Sequence, residues 1–307
     1  MKLRGHETFF IRKGWLSKGL KHIVESPDVF VSKVNNPMDE LGIGANMVKS
    51  LRYWMQATGL AVEPKSGVRR QRLTSLGRII NEHDRYIEEM GTLLMIHYKL
   101  ACNYEMATAW YFLFQEFKMK EFTREDFVRA LDNYIVMEFS GVSHAERSMQ
   151  DDFNCIINTY VSRFKLNPGK ISPENNIDCP LGELGLIDIA NKETKLYRKQ
   201  VVSTKLFNEW IILAIIFEQC QTYFAENKDK MEIDLDQLLH GKNSIGKVFN
   251  MDTLTLLEIL RLAELKGLLK IVRTAGLDVV RIVKKYTVEE CLLHYYESLK
   301  TNEEKAL

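Results

Sequence analysis

The stretch LGIGANMVKSLRYWMQATGLAVEPKSGVRRQRLTSLGR, residues 41–78, decides how the N-terminal third should fold. Wound as a helix from Asn46, it puts Met47, Val48, Leu51, Trp54 and Met55 on one face and Asn46, Lys49, Ser50, Tyr53 and Gln56 on the other. Gly59 stands where a helix ends in a left-handed glycine. Leu60–Glu63, a Pro64-Lys65-Ser66-Gly67 turn and a second extended run, Val68–Leu73, follow. Helix, stop and basic hairpin make the element order of a winged helix-turn-helix. The helix would bring Asn46, Lys49, Ser50, Arg52 and Tyr53 to base edges, while Lys65, Arg69, Arg70 and Arg72 of the wing hold phosphates. A plainer reading stands beside it: winged helices also dock proteins, and a charged hairpin can be a solvated edge.

Charge favours the first reading. Residues 1–80 carry 14 Lys+Arg against 6 Asp+Glu, a net of +8, and the rest of the chain carries 28 against 35, a net of −7. An overall charge of +1 therefore conceals a basic end suited to a polyanion such as DNA. Upstream, periodicity predicts helices over Ile11–Val24, near Val29–Lys33 and near Met38–Leu41; downstream, Thr74 or Ser75 should cap a helix over Leu76–Glu82. These elements form a first domain, residues 1–80.

With 307 residues, 46% apolar and 27% charged, the chain has enough material for two or three cores. Its five cysteines, Cys102, Cys155, Cys179, Cys220 and Cys291, are scattered without CxxC spacing, which argues for reduced thiols in a cytoplasmic protein and against a zinc ribbon. Trp210–Phe217 is too short to cross a bilayer, and MKLRGHETFF lacks the apolar segment of a signal peptide, so no membrane association is expected.

The expected fold class is mainly α. A helical domain, residues 81–230, should hold helices over Leu93–Leu100, Met106–Phe117, Arg124–Ile135 (capped by Thr123, with Asp126 in its first turn) and Ser148–Phe164. Tyr98, Trp110, Tyr111, Phe112, Phe114 and Phe117 read as its core. A small hairpin, Leu186–Ile189 with Lys195–Arg198, precedes a long apolar helix over residues 203–225. Residues 231–307 repeat the winged order: a helix over Asp234–Leu239, another over Asp252–Lys266, a Gly267 stop, and strands Leu268–Val272 and Val279–Val283 about a Thr274-Ala275-Gly276 turn. The polar stripe Thr255, Glu258, Arg261 and Glu264 carries two acids, so this copy reads as a docking module; its largely apolar helix needs cover, from its own chain or from a second copy in a homodimer.

Several ordered motifs carry a resemblance: GHETFFIRKGWL (5–16), LGIGANMVKSLRYW (41–54), LTSLGR (73–78), HYKLACN (97–103) with ATAWYFLF (107–114), SPENNIDCPLGELGLI (172–187) and GLDVVRIV (276–283). Over nearly its whole length the chain resembles a bacterial family of unknown function, DUF4007. The resemblance implies a DNA-binding protein of anti-phage islands that place sulfur in the DNA backbone, the single-strand (Ssp-type) phosphorothioation systems. It further implies strand nicking, and partners that include a cysteine desulfurase, an ATPase and a sulfur transferase. Phe10 departs from the family pattern, where a proline-like turn would be expected.

Nicking would need carboxylates or imidazoles about a divalent metal such as Mg or Mn, or a side-chain nucleophile beside a base. His6 and Glu7 of Gly5-His6-Glu7-Thr8 are the catalytic candidates, set against a reading in which Glu7 and Thr8 cap the first helix. Asp151-Asp152 and the group Glu174, Asp178 and Glu183 are further acids, commonly no more than surface charge. No Walker A loop is present, so no nucleotide site is expected. Cys179 could accept sulfur, though a lone cysteine is usually a small buried apolar group. His97, His240 and His294 read as core residues.

Overall fold

Side-chain caps set many of the boundaries. The Thr74 oxygen accepts from the Gly77 amide, Thr123 and Asp126 form a reciprocal capping box, and Asn208, Ser244 and Asp252 each accept from an amide of the helix they open. Gly59 ends its helix with φ of 71° and Gly267 follows another with φ of 70°, values a side chain would strain. The computed structural model describes residues 1–67, 69–139, 145–162, 178–226, 231–274 and 277–306. It is mainly helical with small antiparallel sheets, in two units: residues 1–88 with 99–200, and residues 89–98 with 201–307.

The first unit opens with α1 (Trp15–Glu25), α2 (Pro37–Leu41) and α3 (Ala45–Ala57), then the hairpin β1 (Ala61–Val62) and β2 (Arg72–Leu73), and α4 (Ser75–His83). The helix expected near Val29–Lys33 is absent. The Ser26 and Asp28 carbonyls, on either side of Pro27, start hydrogen-bonded turns instead, in which Val29 and Phe30 anchor a loop by burial. After α5 (Met90–Ala101), whose residues 90–98 belong to the second unit, comes α6 (Thr108–Tyr111), which widens into a π-turn over Phe112–Glu116 rather than running on as α-helix. β3 (Glu121–Phe122), α7 (Arg124–Glu138), α8 (Glu146–Tyr160) and a 3-10 turn (Pro180–Leu184) lead to β4 (Ile187–Asn191) and β5 (Leu196–Lys199). The expected hairpin is present, but it gains a third strand. β5 is central, pairing with β4 and with the two-residue β3, too short to leave a periodic signal. The six aromatic residues assigned to the core are buried.

The second unit packs α9 (Glu209–Gln219) against α13 (Thr253–Leu265) and α14 (Val288–Ala306), with α10 (Gln221–Glu226), α11 (Leu235–His240) and α12 (Ile245–Val248) beside them. Ile211 to Phe217 are buried without exception, as a helix apolar on every side requires. Here too a sheet has one strand more than the sequence suggests. β6 (Glu232–Asp234) pairs with β8 (Leu277–Ile282), which pairs with β7 (Leu269–Thr274). Ala275 and Gly276 of the expected turn lie outside the described residues, as do Val68 and Glu174. Among the described residues no helix is long and apolar enough to cross a membrane.

Candidate nucleic-acid interface

α3 presents only its first turns to solvent. Asn46 and Lys49 are exposed, whereas Ser50 and Tyr53, expected on the same polar face, are buried. The Ser50 hydroxyl donates to the Phe9 carbonyl at 3.3 Å, and the indole of Trp54 donates to the same oxygen at 2.9 Å. The Tyr53 hydroxyl donates to the Met106 carbonyl at 2.8 Å. A helical wheel assumes one covered face. Here α1, α2 and β1 pack on α3 while the chain N-terminal to α1 closes over its polar side, so Ser50 and Tyr53 are spent inside the unit. Arg52 is engaged as well, in a two-pronged ion pair with Glu63: Nε to Oε2 at 2.8 Å and Nη2 to Oε1 at 2.5 Å.

The hairpin, by contrast, is a free cationic edge. Ala61 pairs with Leu73 and Val62 with Arg72. Strand alternation continues beyond the paired residues: Arg70 and Arg72 point out, while Gln71 and Leu73 point in. Gln71 fastens the return strand, its amide donating to the Pro27 carbonyl at 2.8 Å and its side chain to the Arg52 carbonyl at 3.0 Å. Gly77 lets α4 reach β1, since a Cβ there would lie 2.0 Å from the Leu60 oxygen. Lys65, Arg69, Arg70 and Arg72 are exposed, and no acid pairs with them among the described residues.

Within the Gly5-His6-Glu7-Thr8 motif, His6 has a different task from the one expected. Arg4, Glu7 and Thr8 take left-handed φ values of 53°, 49° and 68°, folding the segment into a tight strap well before α1, so Glu7 and Thr8 do not cap that helix. The fold joins two candidates far apart in sequence: His6 Nε2 lies 2.6 Å from Asp152 Oδ1, with both side chains buried. The Thr8 amide donates to His6 Nδ1 at 3.1 Å, so the ring proton sits on Nε2 and is donated to Asp152. The Arg4 amide adds a second bond to the same oxygen at 2.8 Å, and the Arg4 guanidinium lies 3.0 Å from Asp151. His6 stacks on Trp54 and meets the edge of Trp110. Burial pushes the Asp152 carboxyl above its usual range, while the bonds from His6 and Arg4 hold it down. Both ring nitrogens are occupied and the side chain has no exposed surface, so His6 cannot reach a substrate. Glu7 remains partly exposed.

The remaining candidates divide. Asp178 and Glu183 line a cleft of about 560 Å³ with Lys13 and Asn158. Cys179 lies under the same cleft but is buried, and burial pushes its thiol up to about 12, which leaves it a protonated packing group rather than a sulfur acceptor. His97 is core, bonded to the Val248 carbonyl, and burial lowers its pKa to about 4. His240 and His294 are not: the first is exposed, and the second stacks on Trp210 in a partly open position. Among the described residues no three of His, Cys, Asp and Glu come together as metal ligands. Asp152 is enclosed and already accepts two hydrogen bonds, so it does not suit a hydrated divalent ion, which keeps several waters.

A family model described as a protein of unknown function (DUF4007) matches residues 3–296. No curated protein matches the chain. Two solved structures share its fold. One, a magnesium ion-bound SspB crystal structure, is 24% identical with a TM-score of 0.81, over 96% of this chain and 88% of that one. The other, an SspB crystal structure, is 22% identical with a TM-score of 0.78, over 99% of this chain and 96% of that one.

Proposed function

The chain belongs to the DUF4007 family, and from that premise we propose that it is a DNA-binding component of a phosphorothioation-based anti-phage system. In this reading α3, the hairpin and α4 form a winged helix that docks on duplex DNA. The observation that carries it is the hairpin: four exposed cations without acid partners among the described residues, in a segment, residues 1–80, of net charge +8. Lys65, Arg69, Arg70 and Arg72 hold phosphates, and Asn46 and Lys49 on the open turns of α3 face the groove. The likeness to SspB over nearly the whole chain supports the choice of system.

Strand nicking is the further step that the family resemblance suggests; Glu7, partly exposed, is what is left of the His6–Glu7 pair for it, with Asp178 and Glu183 of the cleft as further acids. The enclosure of His6 and Asp152 favours a second reading, a non-catalytic regulator or target-recognition adaptor that leaves cleavage and sulfur transfer to partners. The described residues do not fit a magnesium or manganese centre. Exposed Leu254 and Leu265 on α13 offer a surface for such partner proteins. Titration of the whole chain onto duplex DNA over a range of salt tests the binding role, and the absence of any salt-dependent duplex binding would overturn it. Conversion of supercoiled plasmid to open circle by the parent but not by Glu7→Gln separates nickase from adaptor.

A further inference from the structure

The hairpin contains a single acid, Glu63, among Lys65, Arg69, Arg70 and Arg72. On a phosphate-binding edge an acid is expected to be harmful, yet its side chain is only 9% exposed and is committed to Arg52. Arg52 in turn is the point where α3 and both strands of the hairpin are fastened. Its guanidinium grips Glu63, next to β1, and its carbonyl accepts from Gln71, next to β2, at 3.0 Å. The same carbonyl also accepts from Gln56 one turn on, at 3.1 Å. Gln71 Nε2 reaches Glu63 Oε2 at 3.5 Å, which closes the ring. The paired strands themselves are two residues each, too short to hold a hairpin at a fixed angle to a helix.

We propose that Glu63 is a positioning residue for nucleic-acid binding: through Arg52 it sets the hairpin's angle to α3, while its own charge is cancelled and kept from the phosphates. This rests on the DNA-binding reading above. It also moves Arg52 from the groups expected to touch DNA to those that hold the hairpin, since its Nε and Nη2 are committed to Glu63. Positioning and simple charge make opposite forecasts. If Glu63 acted only as a negative charge on a basic edge, Glu63→Gln would strengthen binding. An Arg52 released to a phosphate would also steepen the log–log salt dependence by about 0.9. If Glu63 positions the hairpin, the same variant weakens binding by roughly fivefold to tenfold although it is one unit more positive, because preset geometry is lost.

The test uses the whole chain. Glu63→Gln, Arg52→Gln and the exchanged pair Arg52→Glu/Glu63→Arg are titrated onto one duplex over a range of salt, with amide hydrogen exchange of residues 61–67 and 69–73 followed in parallel. The expected result is weaker binding and faster exchange in both single variants, and recovery of affinity toward the parent in the exchanged pair, whose net charge is unchanged. Stronger binding with a steeper salt slope in Glu63→Gln overturns the proposal, as does unchanged exchange. A parent that binds no duplex overturns the DNA-binding reading instead, and the exchange rates then still decide whether Glu63 holds the hairpin.

Discussion

Replacing both Arg69 and Arg70 by alanine should remove two phosphate contacts and nothing structural. Both side chains are exposed, neither is paired with an acid among the described residues, and the hairpin is fastened by Gln71 and by Glu63 with Arg52. For duplex DNA each phosphate contact contributes about 0.9 to the slope of log affinity against log salt. Between about 50 and about 200 mM salt, a fourfold change, one contact accounts for about a 3.5-fold loss of affinity and two for about a twelvefold loss. The parent should therefore lose about twelvefold more affinity than the double variant over that interval, with a slope steeper by about 1.8. Fluorescence anisotropy with a labelled duplex at five or more salt concentrations gives both slopes, and circular dichroism verifies that the fold is retained. The loss should be alike on unrelated sequences, since phosphates carry no base identity. A double variant with the parent's slope would refute the assignment, whatever its absolute affinity.

Three other outcomes follow from geometry elsewhere in the chain. His6→Ala leaves Asp152 enclosed without its side-chain donor, and urea unfolding should report a loss of about 3 kcal/mol or more, whereas a change under about 1 kcal/mol would mean that the strap is not held by this bond. Lys199 donates to the Leu113 and Phe117 carbonyls, and desolvation lowers its pKa to about 7 from 10.5. Between these values the unfolded chain binds the extra proton, so the group costs stability in full below about 7 and the cost fades as pH rises toward 10.5; that rise should be present in the parent and absent from Lys199→Met, and identical pH profiles of unfolding would refute the shift. Glu258→Lys on α13 breaks an exposed bond from Thr204, so duplex affinity should stay level or rise slightly; a sharp fall would bring residues 231–307 into the DNA contact.

Local signals were legible and lateral ones were not. Thr74, Thr123 and Asp252 act through amides three residues away, and Gly59 through its own backbone, so the caps and stops could be read from the chain itself. The alternation that turns Arg70 and Arg72 outward is likewise a two-residue rule. Ser50 and Tyr53 were misread because the carbonyls that bind them belong to Phe9 and Met106, 41 and 53 positions away. His6 and Asp152 are 146 positions apart, and each looked alone in sequence. The stripe on α13 was also drawn too simply. Glu264 is held by the Ile271 amide at 2.8 Å and serves the start of a strand, while Leu254 and Leu265, apolar residues of the helix expected to need cover, are exposed.

The strap has a consequence for the order in which this chain can take shape as it leaves the ribosome. Residues 1–80 contain helices and a hairpin that form from neighbours in sequence, yet their closure waits on Asp152, Thr108 and Met106. Until α8 has emerged, His6 has no acceptor, and the Trp54 face against which it stacks has lost one wall. The basic hairpin is thus made early and set late, once the chain has been extended from Leu73 through α8, which ends at Tyr160. A fragment ending near residue 80 would be a nascent intermediate rather than a miniature of the first unit, and its charged edge would be attached to an unfinished base.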